Sequence, residues 1–354
     1  MQKRNRKKTF FKKRYSAGRD FFLLTLVVSG FLILFYFFVY RPVFNNEATS
    51  LKPVKAVFKV EEKNGEKIEY YVERVWYLKE GLFRERTKDE SVVQYELSDE
   101  GYYLSSGGKT YRLEKSLNPC GYPLSPILGR FILEHASEFY RSKREDGVVY
   151  LGRDAASVEF RDPFSEVRRV KFIIDRSTGF PLLIDVVESG DVIYCARATY
   201  FSELLNQPEP PFLIDKKNAV DVYERQRYDA GEIQGAVKFS IYPPTLIPPE
   251  LDKFAILKLD RLRLPLSDLE LRGELVFFGY YDRDKFIQVI EFKGSMPLNT
   301  GVKAFSFQAR KREFKLAALP GAYVTWTRDG NVTLVIISNL NKNTIIKVAE
   351  GLFE

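Results

Sequence analysis

The chain holds two cysteines (Cys120 and Cys195), one histidine (His135), two methionines and two tryptophans in 354 residues. Each scarcity removes a class of chemistry. One histidine and two distant cysteines cannot supply the Cys/His ligand set of a zinc site, so no metal is expected. They are also too few for a disulfide framework, although a single Cys120–Cys195 bridge stays open outside the cytoplasm. A Ser-His-acid or Cys-His nucleophile would have to recruit His135, and no G-x-S-x-G turn accompanies it. There is no Walker-type loop and no G-x-G-x-x-G after a strand. Acids are plentiful, so a carboxylate-pair glycan hydrolase is a third-ranked alternative, but no pair stands out. The sequence reads as that of a non-enzyme with no catalytic residues, no metal and no cofactor.

Net charge is missing from most of the chain. Lys and Arg number 55 against 47 Asp and Glu, but nine cations and one acid lie in residues 1–20, leaving 46 of each sign beyond Asp20. The sequence pI of about 9.1 therefore belongs to a tail. No nucleic-acid partner follows from it.

After the tail comes Phe21–Tyr40, FFLLTLVVSGFLILFYFFVY, twenty residues without a charge. As a helix this run spans about 30 Å, the thickness of a bilayer core. It is long, aromatic and followed by Arg41-Pro42 without a small-residue cleavage pattern, so an uncleaved signal-anchor is expected. The cations before it place the amino terminus in the cytoplasm. The reading is a single-pass protein of the inner or cytoplasmic membrane, with the lipid bilayer as a partner. Residues 1–20 form the tail, 21–40 the span and 41–52 a polar stalk, and the bulk is extracytoplasmic.

From Pro53 to about Phe201 apolar residues recur with the two-residue period of strands. Asn64-Gly65, Glu80-Gly81 and Gly107-Gly108 mark turns between them. One helical stretch, Pro126–Arg144, interrupts this meander with Leu128, Phe131, Ile132, His135 and Phe139 on one face. Strands then resume through VKFIID, ending at Asp175, the turn Arg176-Ser177-Thr178-Gly179, and FPLLIDVVES. Asp175 and Thr178 suit the turn amides, Gly179 supplies positive φ, and Pro181 fixes the start of an edge-tolerant strand. A Pro-rich joint (Gln207–Pro211) precedes a region opening VKFSIYPPTLIPPE. Near its end YVTWTRDGNVTLVIISNL reads as a hairpin, and Ile345, Val348, Ala349 and Leu352 form one helix face capped by Asn341 or Asn343.

The strand, D-x-x-T-G-[LF]-P-L, strand hairpin carried by Asp175, Thr178, Gly179 and Pro181 resembles that of LolA-like domains. The "Y-P…lP-G" opening of the later region is similar to the small carboxy-terminal domain of MucB/RseB-type envelope proteins, departing from it at Glu250. The resemblance implies an α+β fold, predominantly antiparallel β. A LolA-like curved sheet covered by a helix would occupy 53–205, a linker 206–232, and a smaller α+β domain 233–354. It also implies an apolar cavity for an acyl or lipoprotein-like ligand, lined by Phe58, Tyr70, Val72, Trp76, Phe83, Leu128, Phe131 and Phe139. A membrane-bound anti-sigma or other envelope protein is the implied partner. The expected role is envelope sensing or regulation of the sigma-factor type, since an anchored chain cannot shuttle between membranes. The alternative is a structural scaffold in envelope assembly, division or sporulation.

Overall fold

In the computed structural model, the described residues are 52–353 except 65, 99, 114–122, 207–208, 222–227, 264–269, 283–284 and 297–301. The first sheet is built from β1 (Val54–Asn64), β2 (Lys67–Tyr77), β3 (Gly81–Lys88), β4 (Ser91–Ser98), β5 (Gly101–Ser106) and β6 (Lys109–Leu113), then helix α1 (Pro126–His135). It continues with β7 (Lys143–Tyr150), β8 (Arg153–Arg161), β9 (Arg168–Asp175), β10 (Pro181–Glu188), β11 (Asp191–Glu203) and β12 (Val220–Asp221). Its order is β12-β6-β5-β4-β3-β2-β1-β11-β10-β9-β8-β7. The two meanders join where β1 pairs antiparallel with β11, and β12 alone pairs parallel, to β6.

Alternation decides the inner face. Val54, Ala56, Phe58 and Val60 of β1 are all buried, and their intervening neighbours are more exposed. Across the second meander the same face carries Phe160, Phe172, Leu182 and Ile184, which α1 covers with Leu128, Phe131 and Ile132. Each such side chain contributes about 1.5–3 kcal/mol of burial.

After a single helical turn, α2 (Ile233–Ala236), the second sheet comprises β13 (Lys253–Arg263), β14 (Glu270–Asp282), β15 (Lys285–Lys293), β16 (Phe305–Ala309), β17 (Arg312–Leu319), β18 (Ala322–Asp329) and β19 (Val332–Ser338). Its order is β13-β14-β15-β19-β18-β17-β16, antiparallel throughout, and α3 (Lys342–Gly351) closes the chain. The Asn341 side chain caps α3 by accepting from the Thr344 amide at 3.0 Å, a bond that satisfies an otherwise orphaned helix donor. One face of this sheet shares a continuous apolar core with the first, through Val289, Leu334 and Tyr323. The other buries Leu257, Phe277 and Val335, with Phe164 from the turn between β8 and β9 packed against it. Lys52–Glu354 accordingly forms one compact unit.

These observations overturn the α+β class. Strands hold 58 % of the described residues and helices 10 %, in two large sheets, so the fold is mainly β and the second region is a seven-stranded sheet rather than a small α+β domain. The expected helix over 126–144 ends at His135: Ala136–Glu138 tighten into a 3₁₀ turn, Phe139 is extended, and β7 begins at Lys143, from which Arg144 donates back to the Leu133 carbonyl at 2.7 Å. No helix among the described residues is long and apolar enough to cross a membrane. The expected span at 21–40, the tail, the stalk through Leu51 and Cys120 lie outside the described residues.

Inside the second sheet, β15 is buried on both faces and carries Glu291 with no exposed surface. Burial pushes its carboxyl up to about 8, against the opposing pull of the Tyr242 amide, which both carboxyl oxygens accept at 3.0 Å. A raised folded-state pKa favours the protonated form. Its stabilising contribution is therefore complete below the ordinary value of 4.5 and lost as pH rises towards 8. Glu291→Gln keeps the acceptor without the charge. Thermal unfolding between pH 5 and 9 should show the variant gaining on wild type by up to about 1.4 kcal/mol per pH unit as far as about pH 8 and levelling off above it. Parallel curves would remove the assignment.

Candidate functional site

The hairpin singled out in the sequence is a clamp. Asp175 ends β9 with 1 % exposure. Its Oδ1 accepts from Arg153 Nε at 2.7 Å. Its Oδ2 accepts from the Thr178 amide at 3.0 Å, Thr178 Oγ1 at 2.7 Å and Ser177 Oγ at 2.8 Å. Thr178 Oγ1 in turn accepts from the Phe180 amide at 3.1 Å. Burial alone would raise the Asp175 carboxyl, but the bonds from Arg153, Thr178 and Ser177 outweigh it and hold the group below the usual carboxylate range. Arg153 also bonds Glu203, which meets Lys52 at 2.8 Å, so the start of β1 and the end of β11 are tied to the same turn. The surface beside the turn is an open depression of about 540 Å³ lined by Gly152, Arg153, Asp154, Asp175, Arg176 and Ser177. Its charges are paired with one another, Arg153 with Asp175 and Arg176 with Asp154, which leaves it poorly suited to capture a charged ligand.

The clamp positions α1. Gly179 adopts φ +75°, and its carbonyl lies against Gly129 of the helix so closely that no Cβ fits there. The helix starts on the Ser125 cap, whose Oγ accepts from the Ile127 amide at 3.3 Å. Its far end meets the second sheet. Phe131 packs edge-on to Tyr323 at 5.4 Å, and the Tyr323 hydroxyl lies 2.9 Å from His135 Nδ1. Lys342 joins Glu138 at 2.7 Å just beyond. Burial, reinforced by the Glu138 and Glu134 carboxylates, pushes the Tyr323 phenol well above its ordinary value and keeps it protonated as a donor. Tyr323→Phe should cost about 1 kcal/mol in urea unfolding, the scale of one lost hydrogen bond. It should also raise hydrogen exchange selectively in α1; an unchanged α1 would show that the contact does not couple the sheets.

The structure divides the eight residues expected to line one cavity between two faces. Phe58, Leu128, Phe131 and Phe139 come together in the continuous core on the inner face. Trp76 and Phe83 pair with each other on the opposite face of the sheet. Val72 lies on that outer face too, opposite Lys59, and Tyr70 is 65 % exposed. The inner face of β2 instead shows Tyr71, Glu73 and Val75. Glu73, fully buried, meets Arg84 at 3.3 Å. The Arg84 guanidinium stacks 4.0 Å over Tyr95, and Arg86 lies 4.0 Å over Tyr71. Burial raises the neighbouring Tyr102 phenol despite the nearby Arg84. The inner face of this meander is thus polar and aromatic where hydrocarbon was expected. The signal that could have found it was an acid on one strand, Glu73, facing two cations on the next, Arg84 and Arg86, at inward positions.

The sequence matches no protein-family model and no curated protein. Among solved structures the chain is similar to the Pseudomonas aeruginosa MucA/MucB complex, with 14 % identity and a TM-score of 0.30 over 85 % of this chain and 92 % of that one. It is similar to MucB alone at 13 % identity and a TM-score of 0.30, over 86 % of this chain and 93 % of that one. A putative outer membrane lipoprotein-sorting protein domain from Vibrio parahaemolyticus shares 14 % identity at a TM-score of 0.22, over 45 % of this chain and 88 % of that domain.

Proposed function

We propose that this chain is a non-catalytic, extracytoplasmic envelope protein of LolA-like, MucB/RseB-type architecture that binds an acyl or lipoprotein-like ligand and relays binding to a membrane protein partner. Residues 21–40 tether it to the cytoplasmic membrane. One observation carries the reading: α1 is held to the first sheet by the Gly129–Gly179 contact and to the second by Tyr323, with Lys342 of α3 paired to Glu138 just past its end. A ligand that wedges under α1 must disturb the contact with the second sheet, so a single element links a binding face to a distant surface. Regulation of the sigma-factor type, through an anti-sigma partner, is the specific form of this relay that we favour.

Native mass spectrometry of the full chain, isolated from its membrane in lipid nanodiscs, tests the binding half. Hydrogen exchange with an added diacylated lipopeptide tests the relay. Bound acyl species and faster exchange in both α1 and the Tyr323 strand support the proposal. Persistent absence of bound species with unmoved exchange overturns it. That outcome would favour a structural scaffold, a reading supported by the packing of Phe58, Leu128, Phe131 and Phe139 into one filled core.

A further inference from the structure

On the outer face of the first meander, one row of side chains runs across five strands: Trp76, Phe83, Glu96, Tyr103 and Arg112, each opposite the next in register. An outer sheet face is ordinarily solvated. Here Phe83 is 2 % exposed, Glu96 4 % and Tyr103 6 %. What buries them is the segment between the sheets, residues 209–221, which the Pro-rich sequence marks as a linker.

The segment follows the row in order. Phe212 packs edge-on against Trp76 and Phe83, with ring centroids 6.2 and 5.8 Å away. Ile214 is buried two residues on. Lys216, two further, meets Glu96 at 2.6 Å, bonds Glu100, and sits 5.4 Å over the Tyr103 ring. Asp221 closes on Arg112 at 2.7 Å, where Val220-Asp221 adds a two-residue parallel strand to the edge of β6. Leu213 and Val220 face solvent, at 88 % and 59 % exposure. Alternate side chains in matched sites, together with strand addition at a sheet edge, are how extended peptides are recognised.

We propose that this row is a peptide-docking groove which the chain's own residues 209–221 hold shut. Its other occupant is a segment of a partner protein that is extended over an aromatic residue, an aliphatic residue two places on and a cation two further, and then turns, as residues 216–219 do here, before a carboxylate. The groove lies on the face opposite α1, so the inference goes beyond the ligand reading above and stands or falls independently of it. The resident segment is covalently tethered and competes at an effective concentration on the millimolar scale. A partner must therefore match its contacts and add others, which makes the strap an autoinhibitory gate on partner choice.

The probe is a fluorescein-labelled synthetic peptide of residues 209–221, added to the full chain in nanodiscs. In the double variant Phe212→Ser/Lys216→Glu the resident strap loses its aromatic anchor and its cation is reversed against Glu96 and Glu100. The peptide should bind this variant at least tenfold more tightly than wild type. A peptide carrying the same two changes should not bind. Absence of binding to a variant with a wild-type unfolding curve, or equal binding to both proteins, overturns the proposal. If the variant does not fold, wild type decides. Amides of 209–221 should exchange well before global unfolding and faster with millimolar unlabelled peptide, whereas protection at the global limit that peptide leaves unmoved also overturns it.

Discussion

Asp175→Ala is expected to lower stability by about 3 kcal/mol, at the lower end of the range for removing one partner of a buried ion pair. The low end applies because Arg153 is 27 % exposed at its side chain and retains Glu203, so it is not stranded. The loss comes from the other side of the clamp. Without the carboxylate, the Thr178 amide and hydroxyl lose their acceptor in a turn that is itself buried. Asp175→Asn keeps one oxygen for the Thr178 amide and should lose about half as much, since it gives up mainly the charge on those bonds. The pH dependence separates the two contributions. A depressed folded-state pKa stabilises fully above the ordinary value of 3.8, and that stabilisation disappears as pH falls through the folded value. Wild type should therefore weaken more steeply than either variant below about pH 4. Urea unfolding at pH 7 and at pH 3, followed by both fluorescence and circular dichroism, measures this. An Asp175→Ala loss below about 1 kcal/mol at pH 7, within reach of one ordinary hydrogen bond, would reduce the motif to an ordinary turn.

That hairpin was legible from sequence because its chemistry is local. The acceptor, the hydroxyl, the glycine and the proline lie within seven residues, Asp175 to Pro181: Asp175 and Thr178 accept from the turn amides and Gly179 supplies the positive φ. The cap of α3 was legible to two candidates, Asn341 and Asn343, for the same reason, and the structure selects Asn341. The face of β2 was not. Both parities of that strand carry large apolar or aromatic side chains: Tyr70, Val72 and Trp76 on one, Tyr71, Val75 and Tyr77 on the other. Each set is also interrupted by a charge, Arg74 outward and Glu73 inward, so charge does not separate them. Glu73 is tolerated there because Arg84 on the next strand meets it, a pairing eleven residues away that no periodicity count can weigh. The strap was hidden differently. The prolines of Gln207–Pro211 mark 206–232 as a linker, yet its Phe212, Ile214 and Lys216 match a row of side chains assembled from five strands. The β content of the second region is also non-local in origin, since β15 gains its central place from β14 and β19 together.

The second large effect is expected at Gly129, where two ordinary rules disagree. In a helix interior, exchanging glycine for alanine should stabilise by about 0.5–1 kcal/mol, because glycine loses more backbone freedom on folding. Gly129 sits in the first turns of α1 and is buried. A Cβ there would fall inside the van der Waals envelope of the Gly179 carbonyl oxygen and touch Ile174 Cγ2 at 3.1 Å. A flexible side chain could swing aside, but this obstacle is backbone, fixed by the Asp175 clamp on one side and by Arg130 and Pro126 against Gly179 on the other. Overpacking of this kind costs about 1–3 kcal/mol, and more where neither element can move. The net effect of Gly129→Ala is therefore a loss of about 3 kcal/mol despite its favourable propensity. Combining it with Asp175→Ala distinguishes sterics from propensity. Once the clamp is released the carbonyl can retreat, so the double variant should lose less than the sum of the single losses, by about 1 kcal/mol or more. Strict additivity in urea unfolding would mean that the hairpin does not hold the helix in place, and the route from the first sheet through α1 to Tyr323 would lose its anchor.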